Sequence, residues 1–323
     1  MNMAKAINLA LREAMERNDS VVILGEDIGQ DGGVFRITEG LLDRFGAKRV
    51  IDTPLAESGI VGTAIGMAIY GLRPVCEIQF SGFDYYNYHQ LEAHAARMRN
   101  RTRGRLTVPL VMRAPYGAGV RALEHHSESR EALYAHTPGL KVVIPSGPRN
   151  ARALLHSAIA DPDPVIYYEP KMVYRLFKEE VPEAIETLPI GQAQVVKTGT
   201  DITLISYGGS LRATREAAEL LEEIDHVSVE LIDLLTISPM DSQTIVDSVK
   251  KTGRAVVVHE GPQTCGIGAE IIARINEHVL LYLEAPIKRI TGYDVPIPYF
   301  SKEHFYLPEA EKIVAACRQT LSF

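Results

Sequence analysis

A glutamate placed where a strand gives way to a helix can hold a ligand at the edge of an α/β sheet, and Glu57 in IDTPLAESGIVG has that placement. Position alone does not settle its role, because the helix dipole favours a carboxylate in a first helical turn with no function attached. The neighbours tilt the balance toward chemistry. Leu55, Ile60 and Val61 are expected to strip water from the carboxylate, raise its pKa and suit it to sharing a proton with a partner. In CEIQFSGFDYYNYHQLEAHAARMRN, which starts at Cys76, Gln79 and Phe80 fall at a strand end and are followed by Phe83, Tyr85, Tyr86 and Tyr88. Such rings can stack on a flat heterocycle. Phe83, nearest the strand end, is the stacking candidate, whereas packing at a subunit contact explains the three tyrosines at least as well. His125 and His126 follow the glycine-punctuated turn APYGAG and therefore belong to a loop. Their spacing relative to Glu124 and Glu128 matches no helical zinc pattern such as HExxH, so general acid–base work near neutral pH is favoured over metal binding.

Other chemistries lack their signatures. There is no GxxxxGK[ST], no strand-borne GxGxxG and no GxSxG, which argues against triphosphate hydrolysis, simple dinucleotide binding and serine hydrolase chemistry. Cys76, Cys265 and Cys317 are far apart and form no CxxC pair, as expected of reduced thiols in a cytosol. A net charge of -7 argues against a mainly nucleic-acid-binding role. The N-terminal MNMAKAINLALREAMERN carries apolar residues at helical spacing, unlike a signal peptide. No segment approaches the ~20 apolar residues that cross a bilayer. The expectation is a cytoplasmic protein with neither nucleic acid nor membrane as partner.

Elements that could position these residues recur along the chain. Apolar, β-branched runs at Val21–Leu24, Leu106–Met112, Leu140–Pro145 and Val165–Tyr168 alternate with helical stretches, which predicts an α/β fold with a parallel sheet covered by helices. The first connecting helix should start near Ser58, and its Gly59, Gly62, Ala64 and Gly66 would allow close approach of another backbone. A second helix is expected over roughly Asp84 to Asn100. Around Phe177–Leu188 the texture becomes polar and proline-punctuated, FKEEVPEAIETL, like a linker. Alternation then resumes with DITLISYG, GSLRATREAAELLEEI, VSVELIDL, DSQTIVDSVKKTG, RAVVVHEG and GIGAEIIARINEHV, the last with a helix start at Gly266 packed closely on its sheet. At 323 residues the chain suits two domains, placed at 1–180 and 196–323 with a linker over 181–195.

Together, ILGEDIGQDGGVF, DTPLAESGIVGTAIGMAIYGLRPVCEIQF, the pair His126–Ser127, PGLKVVIP, IDLLTISPMD and ITGYDVPIPY resemble the β subunit of thiamine-diphosphate-dependent 2-oxo-acid dehydrogenases, the decarboxylating component. Six motifs in the family's order, spanning nearly the whole chain, make the resemblance specific. Within the family, EPKMVYR at Glu169–Arg175 reads like the branched-chain members, so a branched-chain 2-oxo-acid dehydrogenase is expected. Pyruvate or acetoin dehydrogenase β subunits are the near alternatives, and a non-catalytic assembly subunit is the alternative from another class.

The resemblance implies a transketolase-like pyrimidine-binding domain followed by a smaller transketolase C-terminal domain. It implies that Glu57 hydrogen-bonds the aminopyrimidine ring nitrogen of thiamine diphosphate, favouring the imino tautomer that activates the thiazolium carbon. Leu55 and Gln79 would line the pyrimidine pocket. Phe83 would take the place of the stacking aromatic, where branched-chain enzymes look to have tyrosine. His126 would face the thiazolium and move a proton as the acyl group passes to a lipoyl arm on a dihydrolipoyl acyltransferase core. His125 has no counterpart. The family's diphosphate and Mg²⁺ are held by a separate α chain through a GDG-x(n)-N motif that is absent here, so activity requires that α subunit, as two α and two β chains. Some relatives hold a structural potassium ion (K⁺), and the corresponding segments make Leu110, Val111, Ala158, Asp161 and Asp163 its candidate ligands. Val111 stands where the branched-chain pattern has threonine. A plain turn, DPDP, with solvated charges is the other reading of the two aspartates.

Overall fold

The computed structural model describes residues 1–323. Helix α1 (Met3–Arg17) opens at Asn2, whose side chain accepts a bond from the Lys5 N–H, and buries Met3, Ile7, Leu11 and Met15 on one face. Strand β1 (Val21–Gly25) is buried throughout, as expected of a strand covered on both faces. There follow α2 (Leu41–Phe45), β2 (Val50–Asp52), α3 (Glu57–Ile69) and β3 (Arg73–Glu77). The expected helix from Asp84 to Asn100 is broken into α4 (Tyr85–Gln90), a π-helical turn at Leu91–Ala95 and α5 (Met98–Arg101). Strand β4 runs Val111–Tyr116, shorter at its start than the apolar run, because Pro109 has no N–H to give a ladder. Then come α6 (Glu131–Ala135), β5 (Lys141–Val143), α7 (Pro148–Ala160) and β6 (Val165–Pro170).

The second half contributes β7 (Gln194–Lys197), β8 (Ile202–Ser206), α8 (Ser210–Asp225), β9 (Val229–Asp233), β10 (Thr236–Ser238), α9 (Ser242–Thr252) and β11 (Ala255–Val258). It ends with α10 (Ile267–Val279), β12 (Lys288–Ile290), α11 (Glu303–Tyr306) and α12 (Ala310–Leu321). A five-stranded sheet of order β12-β11-β8-β9-β7 is parallel except for β7 at its edge. Gly266 caps α10, and a β-carbon at Gly268 would meet His259 Nε2 at 2.9 Å, so this helix does start hard against its sheet.

The seven-stranded sheet has the order β10-β5-β6-β4-β3-β1-β2. Its outermost strand β10 comes from beyond the linker and pairs antiparallel, with Thr236 opposite Val143. So short a strand gives little periodicity, and the sequence did not suggest that it crosses to the other sheet. One apolar cluster of 35 buried residues runs from Leu24 and Ile60 to Val257 and Ile271, so the two halves share a continuous interior. On the opposite face of the sheet, Arg113 on β4 forms a two-point bond to Glu169 on β6, at 2.7 and 2.8 Å, and also reaches Glu77 on β3. No helix is long and apolar enough to cross a membrane.

Candidate active site

The residues singled out for chemistry collect at the carboxyl ends of four adjacent strands, in the order β4-β3-β1-β2. Glu26 follows β1, Glu57 follows β2, Gln79 and Phe80 follow β3, and the histidine loop follows β4. Parallel α/β sheets place ligands at this edge because the loops there splay apart and helix N-termini point into the gap.

Glu57 is the first residue of α3, one earlier than expected, and is only 7% exposed. Its carboxylate has no hydrogen-bond or ion-pair partner within the chain, and Ala56 before it supplies no cap. Its oxygens are not among the fully buried unpartnered atoms, so the carboxylate opens onto the gap and is available to a ligand. Nearby, burial chiefly and then the charges of Glu57, Asp27 and Glu77 push the Glu26 carboxyl up to about 7. Glu26 was missed, although the strand-end rule that found Glu57 applies equally to it. Gln79 donates to Asp27 Oδ2 at 3.3 Å, joining the ends of β1 and β3. Ile60 and Val61 are buried as expected, but Leu55 is 79% exposed, so it does not desolvate Glu57 within this chain. It stands out beside the carboxylate as an uncovered apolar side chain.

The loop from Gly117 to Arg130 folds back on itself through a bond from the Gly117 N–H to the Glu128 carbonyl at 3.0 Å. Ser81 Oγ donates to that same carbonyl at 2.5 Å. Gly82 lies directly under the His125 backbone, where any β-carbon would collide with the His125 carbonyl. This seats His126 between Phe80 and Phe83, at ring-centroid distances of 4.3 and 5.3 Å. Burial, then the charges of Lys171 and His125, hold the His126 imidazole below the ordinary histidine range, against the opposing pull of Glu124. His125 is exposed and lies over Phe83 at 6.4 Å. Tyr85 and Tyr86 are exposed, while Tyr88 is bonded through its hydroxyl to Thr137 Oγ1 at 2.9 Å.

An acceptor at Glu57, a side-chain amide at Gln79 and an aromatic ring at Phe83, all at this edge of the sheet, are groups that a flat nitrogen heterocycle could use. The oxygens expected around a potassium ion have other partners. Asp161 accepts from Lys141 Nζ at 2.8 and 2.7 Å and from the Asp163 N–H at 2.9 Å, and Asp163 accepts from Arg99 at 2.7 Å. The DPDP turn is thus ion-paired, not a set of solvated charges. The backbone carbonyls of Leu110, Val111 and Ala158 accept from the Val165 N–H, Cys76 Sγ and the Asp161 N–H. Arg73 donates to the carbonyls of Ile159 and Asp161 at 2.7 and 3.2 Å, so a guanidinium fills the neighbourhood proposed for the cation. No three His, Cys, Asp or Glu side chains group to hold a metal.

Residues 1–176 match the family model "Transketolase, pyrimidine binding domain", and residues 191–313 match "Transketolase, C-terminal domain". The chain is 52% identical to the pyruvate dehydrogenase E1 component subunit beta of Acholeplasma laidlawii, over 99% of this chain and 97% of that one. It is 49% identical to the protein of that name from Staphylococcus epidermidis, over 100% and 99% of the two chains. Among solved structures, "Split gene transketolase, inactive beta4 tetramer" superposes with a TM-score of 0.82 at 20% identity, covering 100% of this chain and 98% of that one, which supports the fold. These relatives overturn the branched-chain assignment. The segment EPKMVYR that suggested it has other tasks: Glu169 pairs with Arg113, Tyr174 donates to Glu169 at 2.5 Å, and Lys171 is buried. Residues occupied in packing carry no information about a substrate's side chain.

Proposed function

The chain belongs to the family of pyruvate dehydrogenase E1 component β subunits, thiamine-diphosphate-dependent 2-oxo-acid dehydrogenases that act by oxidative decarboxylation, and we propose that its own 2-oxo acid is pyruvate. The full-length identity of 52% to a relative with that name carries this choice of substrate. Thiamine diphosphate, when bound, supplies a nucleophilic thiazolium carbon and an electron sink for decarboxylation. Glu57 would share a proton with the aminopyrimidine ring nitrogen, donating it from the carboxyl when the ring is neutral and accepting from the ring N–H once the proton has moved. Its lack of a partner within the chain supports that role. Phe83 and Leu55 pack on the ring, and Gln79 fixes the strand ends beside it. His126, its imidazole held below the ordinary histidine range, would exchange a proton as the acyl group moves to a lipoyl arm.

An α chain completes the site by holding the diphosphate and Mg²⁺, in an assembly of two α and two β chains. A dihydrolipoyl acyltransferase core receives the acyl group. The test is reconstitution with the α chain and comparison of pyruvate with 3-methyl-2-oxobutanoate. A kcat/KM at least about tenfold higher for pyruvate is expected, since the extra methyl groups must be excluded from a pocket shaped for one. Equal or inverted preference would overturn the assignment.

A further inference from the structure

The loop that carries His126 is gripped from across the molecule. The Ala118 N–H donates to Glu260 Oε2 at 2.9 Å. The Gly119 and Arg121 N–H groups both donate to Glu303 Oε1, the latter at 3.2 Å. Glu260 follows β11 and Glu303 begins α11, so both carboxylates come from the second half of the chain. Each is 3% exposed, as is Lys171 between the halves. Lys171 Nζ has no hydrogen-bond partner, and Glu260 Oε1 and Glu303 Oε2 are likewise unpartnered. Burial pushes the Lys171 ammonium down to about 8, against the opposing pull of Glu260 and Glu303. Gly117 has φ +81° and no room for a β-carbon beside Glu260, so the loop leaves β4 in contact with this cluster. Farther along, Tyr299 donates to Glu124 Oε1 at 3.2 Å, and the Arg121 guanidinium lies 5.1 Å over the Phe300 ring.

We propose that Glu303 and Glu260 are positioning residues for His126, acting through the backbone N–H groups of Ala118, Gly119 and Arg121. Buried ion clusters contribute little net stability compared with apolar packing. Here two of their oxygens are spent on the start of one loop, and the same loop carries the imidazole beside Phe80. The proposal rests on the reading of His126 as the proton-transfer residue for acyl transfer. Displacing such a group by a fraction of its bond length costs rate without touching the earlier steps.

The experiment uses the reconstituted α and β complex with two assays, decarboxylation coupled to an artificial electron acceptor and acyl transfer to a lipoyl domain. Glu303→Ala is expected to slow acyl transfer about tenfold while decarboxylation stays within about twofold. Glu303→Gln keeps an accepting oxygen and should restore most of the rate. In a His126→Ala background, Glu303→Ala should add no further loss, because both changes remove one function. Equal losses in both assays, or losses that multiply in the double variant, would overturn the proposal. If Glu303→Ala does not assemble, Glu303→Asp, which retracts the same oxygen by one methylene, carries the same expectation. A His126→Ala complex that acylates at full rate removes the underlying reading as well. A slow His126→Ala complex beside a fast Glu303→Ala complex overturns the positioning role alone.

Discussion

The imidazole of His126 meets the ring of Phe80 edge to face, with centroids 4.3 Å apart and planes at 74°. Phe83 stands on it in a similar way, at 5.3 Å and 79°. These aromatic walls limit the water around the ring and so disfavour its charged form. Lys171 and His125 add like-charge repulsion.

Removing a wall should show in the pH dependence of acyl transfer. With its pKa held below the usual histidine value, His126 stays neutral to lower pH than a free imidazole. Phe80→Ala admits water, raises the pKa and should move the acidic limb of the acyl-transfer profile to higher pH. An unmoved limb would mean that another group sets it.

Arg113 tests how the first sheet is held together. It is 2% exposed and faces Glu77 and Glu169. Arg113→Met would leave two buried carboxylates without a countercharge, at a cost of about 3–5 kcal/mol. Denaturant unfolding should show that loss as a lower midpoint with an unchanged slope. A loss below about 1 kcal/mol would show that the site relaxes or admits water.

Asp233 joins the sheets, accepting a hydrogen bond from Ser146 Oγ, and burial pushes it up to about 7 from an ordinary 3.8. A carboxyl whose folded pKa exceeds its unfolded value stabilises the fold below the unfolded pKa, and that stability is lost as pH rises through the folded one. Thermal stability should therefore fall as pH rises from about 4, the unfolded value, to about 7, the folded one, and level off above it. Asp233→Asn should flatten the fall by up to about 1.4 kcal/mol per pH unit. Glu26, Asp84 and Glu260, each also raised to about 7, keep part of the slope. An unchanged slope in Asp233→Asn would contradict this origin.

Much of this was legible in the sequence because it is local. The β-branched runs gave the strands, and a carboxylate between a strand and a helix gave Glu57. Gly266 before an amphipathic run gave the close helix start. The histidine loop was visible from its glycines. Its support was not, because Glu260 and Glu303 lie 142 and 184 residues from the N–H groups they accept. Nothing in a linear pattern distinguishes those two glutamates from solvated ones.

The corrections have the same physical origin. EPKMVYR pointed to branched-chain substrates, yet its Glu169, Lys171 and Tyr174 are consumed by ion pairing and burial inside the chain. Leu55 was expected to dry the Glu57 carboxylate, but it points out of the chain and is 79% exposed. Asp161 and Asp163, tentative ligands of a monovalent cation, are also ion-paired with Lys141 and Arg99, a pairing that the linear pattern did not show.

Glu57 carries the central claim that this chain supplies the activating carboxylate to a cofactor site completed by another chain. The most direct measurement is turnover of Glu57→Gln in the reconstituted complex, with assembly and thiamine diphosphate binding checked in parallel. Glutamine keeps the shape but cannot hold the shared proton, so a loss of about 100-fold or more in kcat is expected, with the complex intact. Near-normal turnover would contradict the claim and leave this chain an assembly subunit.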